Sequence, residues 1–370
     1  MAKRNGGRIV VDQIARNGIE WVFGVPGESY LASLDAFYDT PGTRFAICRQ
    51  EGGAAMMADA YARLTGRPGV AFVTRGPGAT NASPAVHIAR QDSVPLVLLV
   101  GQIDSAFTGR EAFQEIDYRA FFGPIAKWAV EVDRAERLPE ILHRAFATAL
   151  SGRPGPVVVA LPEDVLFDEV EVADAPPVKV AEAAPDPAAV AEIGERLAAA
   201  KRPFLLLGGS GWTEAGHLAV RRFAEAWRLP VGCGFRRQSL FDNEHPCYAG
   251  HVGLTVTKDL GDYLAEADLI LTLGSRMSEA SSDSYRRFPL QGNARTALVH
   301  IHNDPAELGR VYRADVAVPA GLNRAAEALA ALPGTNYAPW GEATERLHRS
   351  YLASTADSPA NPGAVQYGEI

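Results

Sequence analysis

No stretch of the 370-residue sequence holds the roughly 18 to 20 consecutive apolar residues that a membrane-spanning helix needs. No such helix is therefore expected. Cysteine is scarce: Cys48, Cys233 and Cys247 are scattered and odd in number. They fit the reduced thiols of a cytoplasmic protein better than a disulfide framework or a zinc site. Positive charge is in deficit, and the formal net charge of −8 argues against nucleic acid or an anionic membrane as partner. The chain also lacks a Gly-Lys-Ser/Thr phosphate loop, a Gly-x-Gly-x-x-Gly fingerprint and a Gly-x-Ser-x-Gly elbow. Its first residues, MAKRNGGRIVVDQIARNG, start basic but have no long apolar region or cleavage site, so no secretory leader is expected.

What is present is a large apolar share. Hydrophobic residues make up 47% and charged ones 22%, the composition of a globular protein with sizeable cores. The length suggests two domains. In the first half, WVFGV (21–25), FAIC (45–48), VAFVT (70–74), VPLVLLVG (94–101) and PVVVALP (156–162) predict strands. Several are apolar on consecutive residues, the mark of strands covered on both faces. Helices are expected between them at 29–39, 51–64, 79–91 and 137–150, and such alternation implies a parallel sheet. Residues 166–187, rich in acid, alanine and proline, are expected to be a linker. A second α/β unit follows at 188–335, with strands at 204–209, 229–233, 267–274, 296–301 and 314–318. Its helices are expected at 187–200, 214–227, 257–266 and 322–332. From 336 to 370 the pattern weakens into a further linker, ending ANPGAVQYGEI.

Three features stand at strand–helix junctions of the first unit. VFGVPGES carries a turn whose Gly27 permits close approach of a ligand, at the sheet edge where open α/β sheets bind. TRGPGATN (74–81) makes a stiff Gly-Pro-Gly turn with Thr74, Thr80 and Asn81 as hydrogen-bonding groups. Between them, Glu51 opens an alanine-rich helix that Gly66 ends, and it shares a face with Ala55, Ala58 and Ala62. An acidic residue in a first helical turn ordinarily complements the macrodipole. A carboxylate at the edge of so small and apolar a face asks for more.

Together these residues resemble the pyrimidine-binding domain of thiamine-diphosphate enzymes, in the acetolactate synthase and pyruvate oxidase group. The matching stretches are VFGVPGES, RQEGGAAMMADAYARLTGRPGVAFVTRGPGATN, VPLVLLVGQ, EAFQEID and GRPGPVVVALPEDV. The resemblance covers residues 8 to about 332. It implies two three-layer parallel-sheet domains, a pyrimidine-binding domain over 1–165 and a Rossmann-like central domain over 188–335. It also implies that Glu51 hydrogen-bonds the cofactor's aminopyrimidine ring and promotes its imino tautomer. That role needs a carboxyl group held out of water, so that it shares a proton at neutral pH. By the same match Pro26, Gly27, Thr74, Pro77 and Asn81 line the cofactor, Gln114 faces the substrate, and Lys127 is a candidate for the substrate channel. The alanine face would let two subunits approach closely, as a homodimer or homotetramer acting on a 2-oxo acid.

Several departures matter. Synthases of this group carry Gly-Gly after the turn proline, where this chain has Gly27-Glu28. That form is closer to the 2-oxo-acid decarboxylases, so Glu28 is read either as a proton donor or as a helix cap. The decarboxylases' histidine pair has no counterpart in GQIDSAFTGREAFQ. In the central domain, Gly208 to Gly211, His251 to Gly253 and Gly274 to Arg276 fall where FAD contacts lie. The expected acidic stretches there are replaced by Met277-Ser278-Glu279 and His302-Asn303-Asp304, which speak against flavin. His300 and His302 lie on one side of a strand without a third metal ligand. The Gly-Asp-Gly that holds Mg²⁺ and the diphosphate is missing; the nearest string is Gly261-Asp262-Tyr263. The C-terminal diphosphate-binding domain is therefore read as absent, leaving a fragment, a split subunit or a non-catalytic nucleotide-binding module as alternatives.

Overall fold

Runs of consecutive apolar residues become strands buried from end to end, Leu96–Gln102 and Pro156–Pro162 among them. The computed structural model describes residues 3–290, 295–356 and 363–364. It divides into two units, Met1–Ala181 and Glu182–Ile370.

The first unit contains β1 (Arg4–Asn5), α1 (Gly6–Arg16), β2 (Trp21–Gly24), α2 (Leu31–Tyr38), β3 (Arg44–Ile47), α3 (Glu51–Thr65), β4 (Gly69–Val73) and α4 (Pro77–Asp92). It continues with β5 (Leu96–Gln102), α5 (Tyr118–Phe122), β6 (Trp128–Glu131), α6 (Leu138–Leu150), β7 (Pro156–Pro162), α7 (Glu163–Phe167) and β8 (Glu169–Val170). Six strands form a parallel sheet in the order β3-β2-β4-β5-β7-β6. Alternate residues of each strand feed opposite layers. Phe72, Leu99 and Val159 pack with Ile14, Leu142 and Phe146 of α1 and α6. Ala71, Leu98 and Ala160 pack with the alanines of α3 and α4. The expected three layers are present. From β2 the chain moves to β3 on one side, then returns to β4 on the other. That reversal opens a crevice at the C-terminal ends of β2 and β4, the position where open α/β sheets take ligands.

The second unit contains α8 (Pro187–Ala199), β9 (Pro203–Leu207), α9 (Glu214–Trp227), β10 (Val231–Gly234), β11 (Tyr248–Val252) and α10 (Lys258–Glu266). After these come β12 (Leu269–Leu273), β13 (Ala297–His302), β14 (Val316–Pro319), α11 (Leu322–Ala330) and α12 (Gly341–Thr355). Its sheet is also parallel, in the order β11-β10-β9-β12-β13-β14. The expected linker from 336 carries α12 instead. Ala343, Leu347 and Tyr351 are four residues apart and turn one face of that helix inward. The Trp340 indole donates to the Trp227 carbonyl at 3.0 Å, and the His348 ring to that of Tyr248 at 2.9 Å. The tail expected at 360–370 lies outside the described residues except for Gly363 and Ala364. Residues 171–178 are held along the first unit: Asp174 accepts from Arg4 at 2.8 Å and Arg16 at 2.9 Å, and Asn17 accepts from the Val178 amide at 3.0 Å.

His300 gives the second unit a pH dependence. Its Nε2–H donates to the Ser275 carbonyl at 3.0 Å, while Nδ1 is buried without a partner among the described residues. Burial is the main cause that pushes its pKa down from 6.5 to about 4, and His302 adds to it. The unfolded chain takes up that proton near its ordinary value and the folded chain only near the lowered one. Stability is therefore complete above the ordinary value and falls as pH drops through the window. Between pH 7 and about pH 5 the loss is expected to reach about 2 kcal/mol. Denaturant midpoints for His300→Leu at the two pH values should lie closer together than those of the parent.

Candidate functional site

The crevice of the first unit is closed by glycines. A Cβ on Gly27 would stand 2.4 Å from the Thr74 Cβ, so a residue without a side chain lets the two loops meet. The Ser29 hydroxyl lies 2.9 Å from the Thr74 hydroxyl and accepts from the Arg75 amide at 3.3 Å. Behind them Tyr30 stacks on Phe72 at 4.1 Å and its hydroxyl donates to the Val25 carbonyl. The second loop turns at Gly76, whose φ of +61° favours glycine, and Pro77 opens α4 with its φ already helical. The Gly76 amide donates to the Tyr118 hydroxyl at 2.8 Å. A Cβ on Gly76 would lie 2.6 Å from that of Gln114, so Gln114 is seated against the loop. Gln114 itself has φ of +68°, an uncommon conformation for a residue with a side chain. Its neighbour Glu115 pins the segment by accepting from the Gly109 and Ala112 amides at 2.6 and 2.9 Å. Those bonds, the Gly109 one foremost, hold the Glu115 carboxyl below the usual range.

Glu51 enters from the third junction. The Gln50 side chain caps α3 by accepting from the Gly53 amide at 2.7 Å. Half-buried, the Glu51 carboxylate accepts from Asn81 Nδ2 at 3.0 Å. One of its oxygens stands 3.5 Å from where a Gly78 Cβ would be, so glycine there leaves the carboxylate room. Its charge is felt at Tyr30: burial first, then the charge of Glu51, raises the Tyr30 phenol. Glu51, Asn81, Thr74 and Gly27 are thus gathered at one crevice, with Gln114 against the neighbouring loop. Pro26 and Pro77 are exposed at its rim. Glu28 is exposed too, and it begins a short 3₁₀ turn for which Gly27 holds the N-cap position.

Two expectations are corrected. The alanine face of α3 is not free for a partner: Ala55, Ala58 and Ala62 are buried against this unit's own sheet and α4. A Cβ on Gly69 of β4 would lie 2.0 Å from the Ala58 carbonyl oxygen, so helix and strand touch through their backbones. The exposed side of α3 is instead Met56, Met57 and Leu64. Lys127 does not reach the crevice. Its ammonium donates to the Thr148 and Ser151 carbonyls at 2.6 and 2.7 Å, where a cation complements the C-terminus of α6. Sequence reasoning missed Ser29, Tyr30, Arg75, Gly78 and Tyr118. Ser29, Arg75 and Gly78 lie within quoted motifs and Tyr30 follows one, while nothing in DYRAFF marks Tyr118.

In the second unit the corresponding reversal lies between β9 and β12. There a Cβ on Gly208 would meet the Ser275 Cα at 2.6 Å, and the chain closes on itself. Arg276, expected among flavin contacts, is engaged with Glu307 at 3.2 Å. Among the described residues no group of three or more His, Cys, Asp or Glu is placed to hold a metal, and none of the helices described is long and apolar enough to cross a membrane.

Residues 4–121 match the family model described as thiamine pyrophosphate enzyme, N-terminal TPP binding domain, and residues 190–332 match the central domain of the same enzymes. The chain belongs to the thiamine pyrophosphate enzyme family. Among its relatives is the acetolactate synthase isozyme 2 large subunit of Escherichia coli K12, 34% identical over 88% of this chain and 58% of the relative. Isozyme 1 of the same organism is 32% identical over 94% of this chain and 61% of its own length. The probable acetolactate synthase large subunit of Methanocaldococcus jannaschii is 33% identical over 85% and 53%. The chain therefore spans little more than half the length of these relatives. As a thiamine pyrophosphate enzyme it carries its Glu51 crevice inside the N-terminal match.

Proposed function

We propose that this chain supplies the pyrimidine-binding and central domains of a 2-oxo-acid carboligase of acetolactate synthase type. The observation that carries the reading is the Glu51 carboxylate, half-buried against Asn81 beside Gly78, whose missing side chain leaves it room. Thiamine diphosphate, once bound, supplies the electron sink for decarboxylation and carbon–carbon bond formation. Glu51 would hold and return a proton at the pyrimidine ring, with Asn81 orienting its carboxylate. Thr74 and Pro77 would flank the ring, and Pro26 and Gly27 the reacting end. Gln114, fixed by its neighbour Glu115, would orient the 2-oxo acid. Glu28, exposed at the same edge, is suited to deliver a proton. That favours a decarboxylase as the second reading.

The relatives extend well past the matched region, and in this reading that further part brings Mg²⁺ and the diphosphate site. Ile47, Met56 and Met57, exposed on β3 and α3, would be covered by a second copy in a cytoplasmic homodimer or homotetramer. Two measurements test the proposal. The full-length protein with thiamine diphosphate, Mg²⁺ and pyruvate should form acetolactate; aldehyde as the sole product would favour the decarboxylase. Calorimetry on the 370-residue chain alone should show feeble cofactor binding and assays no turnover, whereas micromolar binding would contradict the need for a further domain.

A further inference from the structure

Thr74 and Arg75 are adjacent, but their side chains diverge. Thr74 packs towards β2, against Gly27 and Gly78. Arg75 reaches past the end of β5, the strand between β4 and β7, to Glu163 at the start of α7. The contact is long, 3.3 Å from Nη1 to Oε2. The Arg75 Nε is buried and finds no partner among the described residues. A guanidinium offers five donors in a planar fork that matches a carboxylate. Here one of them is engaged, near the limit of hydrogen-bond range.

Two other partly buried arginines of the same unit look different. Arg63 meets Asp59 at 2.6 Å and Asp92 at 2.7 Å. Arg4 likewise joins Asp12 at 2.5 Å and Asp174 at 2.8 Å. Each is short and shared between two carboxylates. Arg75 has a single loose partner and a spare buried donor, which is the state of a group awaiting another acceptor. Its backbone runs directly into Gly76 of the second loop. Burial raises the Tyr118 phenol to about 12, while Arg75 is close enough to work against that rise. The Tyr118 hydroxyl in turn accepts from Gly76, the residue against which Gln114 is seated.

We propose that Arg75 is a substrate-recognition residue that lets the site take, besides pyruvate, a 2-oxo acid with a second carboxylate, which its fork binds beside Gln114. Glu163 holds the guanidinium in place between substrates. The inference rests on the thiamine-diphosphate reading and deepens it.

The test uses the full-length protein with thiamine diphosphate and Mg²⁺, and 2-oxoglutarate and pyruvate as donors. Arg75→Met should lower kcat/KM for 2-oxoglutarate roughly 10- to 100-fold more than for pyruvate, mostly through KM. Arg75→Lys should recover part of the loss. Glutarate, which cannot react, should raise the melting temperature of the parent protein but not of Arg75→Met. Equal losses for both donors, or equal stabilisation of both proteins by glutarate, would overturn the assignment. Should Arg75→Met fail to fold, Glu163→Gln decides instead. Tighter glutarate binding by that variant supports the proposal, and unchanged binding defeats it. Calorimetry with thiamine diphosphate reports separately on the parent reading: cofactor binding with pyruvate turnover but an Arg75-independent response to glutarate sinks this inference alone.

Discussion

Replacing Glu51 by glutamine in the full-length protein is expected to lower turnover by about 10²- to 10⁴-fold. The variant keeps an oxygen to accept from Asn81, a bond of 3.0 Å in the parent. What it loses is the group that can take and return a proton. Stability should change little, since the one other contribution of the charge is to the first turn of α3, roughly 0.3–1 kcal/mol. Steady-state kinetics alongside thermal denaturation check both halves. Near-parental turnover would remove Glu51 from the chemistry, and a collapsed melting transition would make its role structural.

Gly69→Val should be the most damaging substitution for the fold of the first unit. Its new Cβ would point at the Ala58 carbonyl oxygen from 2.0 Å and at the carbonyl carbon from 2.6 Å. Both are backbone atoms of a helix packed through alanines, so no side chain can move aside. The expected loss is about 3 kcal/mol or more, read as a lower denaturant midpoint. Gly42→Val is the control: nothing lies within 4 Å of its Cβ. An unchanged midpoint for Gly69→Val would mean that α3 does not rest on β4, and the placement of Glu51 would lose its foundation.

Much of the architecture was legible because central strands, buried on both faces, leave long apolar runs. The expected strands and helices of both units have counterparts in the structure, most within about two residues, the usual uncertainty of element ends. Edges were harder. β6, half-buried throughout, and β11, interrupted by Gly250, lack that signature. The helix α1 is not among the expected elements. Its N-cap, the Asn5 side chain accepting from the Arg8 amide at 2.8 Å, is a local signal that was available.

The candidate site was legible in its parts but not in its contacts. Glu51 and Asn81 stand thirty positions apart, and only the reversal between β2 and β4 brings their junctions together. Two other features were beyond pattern reading. The alanines of α3 are small because its backbone touches β4, a contact the spacing alone does not distinguish from one with a partner. Lys127 lies in a suggestive place along the chain, yet its charge is spent on the end of α6.

The helix α12 has a practical bearing on how this protein is cut. The central-domain match ends at residue 332, but Trp340 and Leu347 beyond it are buried. Trimming at the match would strip the cover from β11 and leave a greasy scar around Tyr248, inviting aggregation. An excised second unit that is to stay in solution should run through at least Thr355.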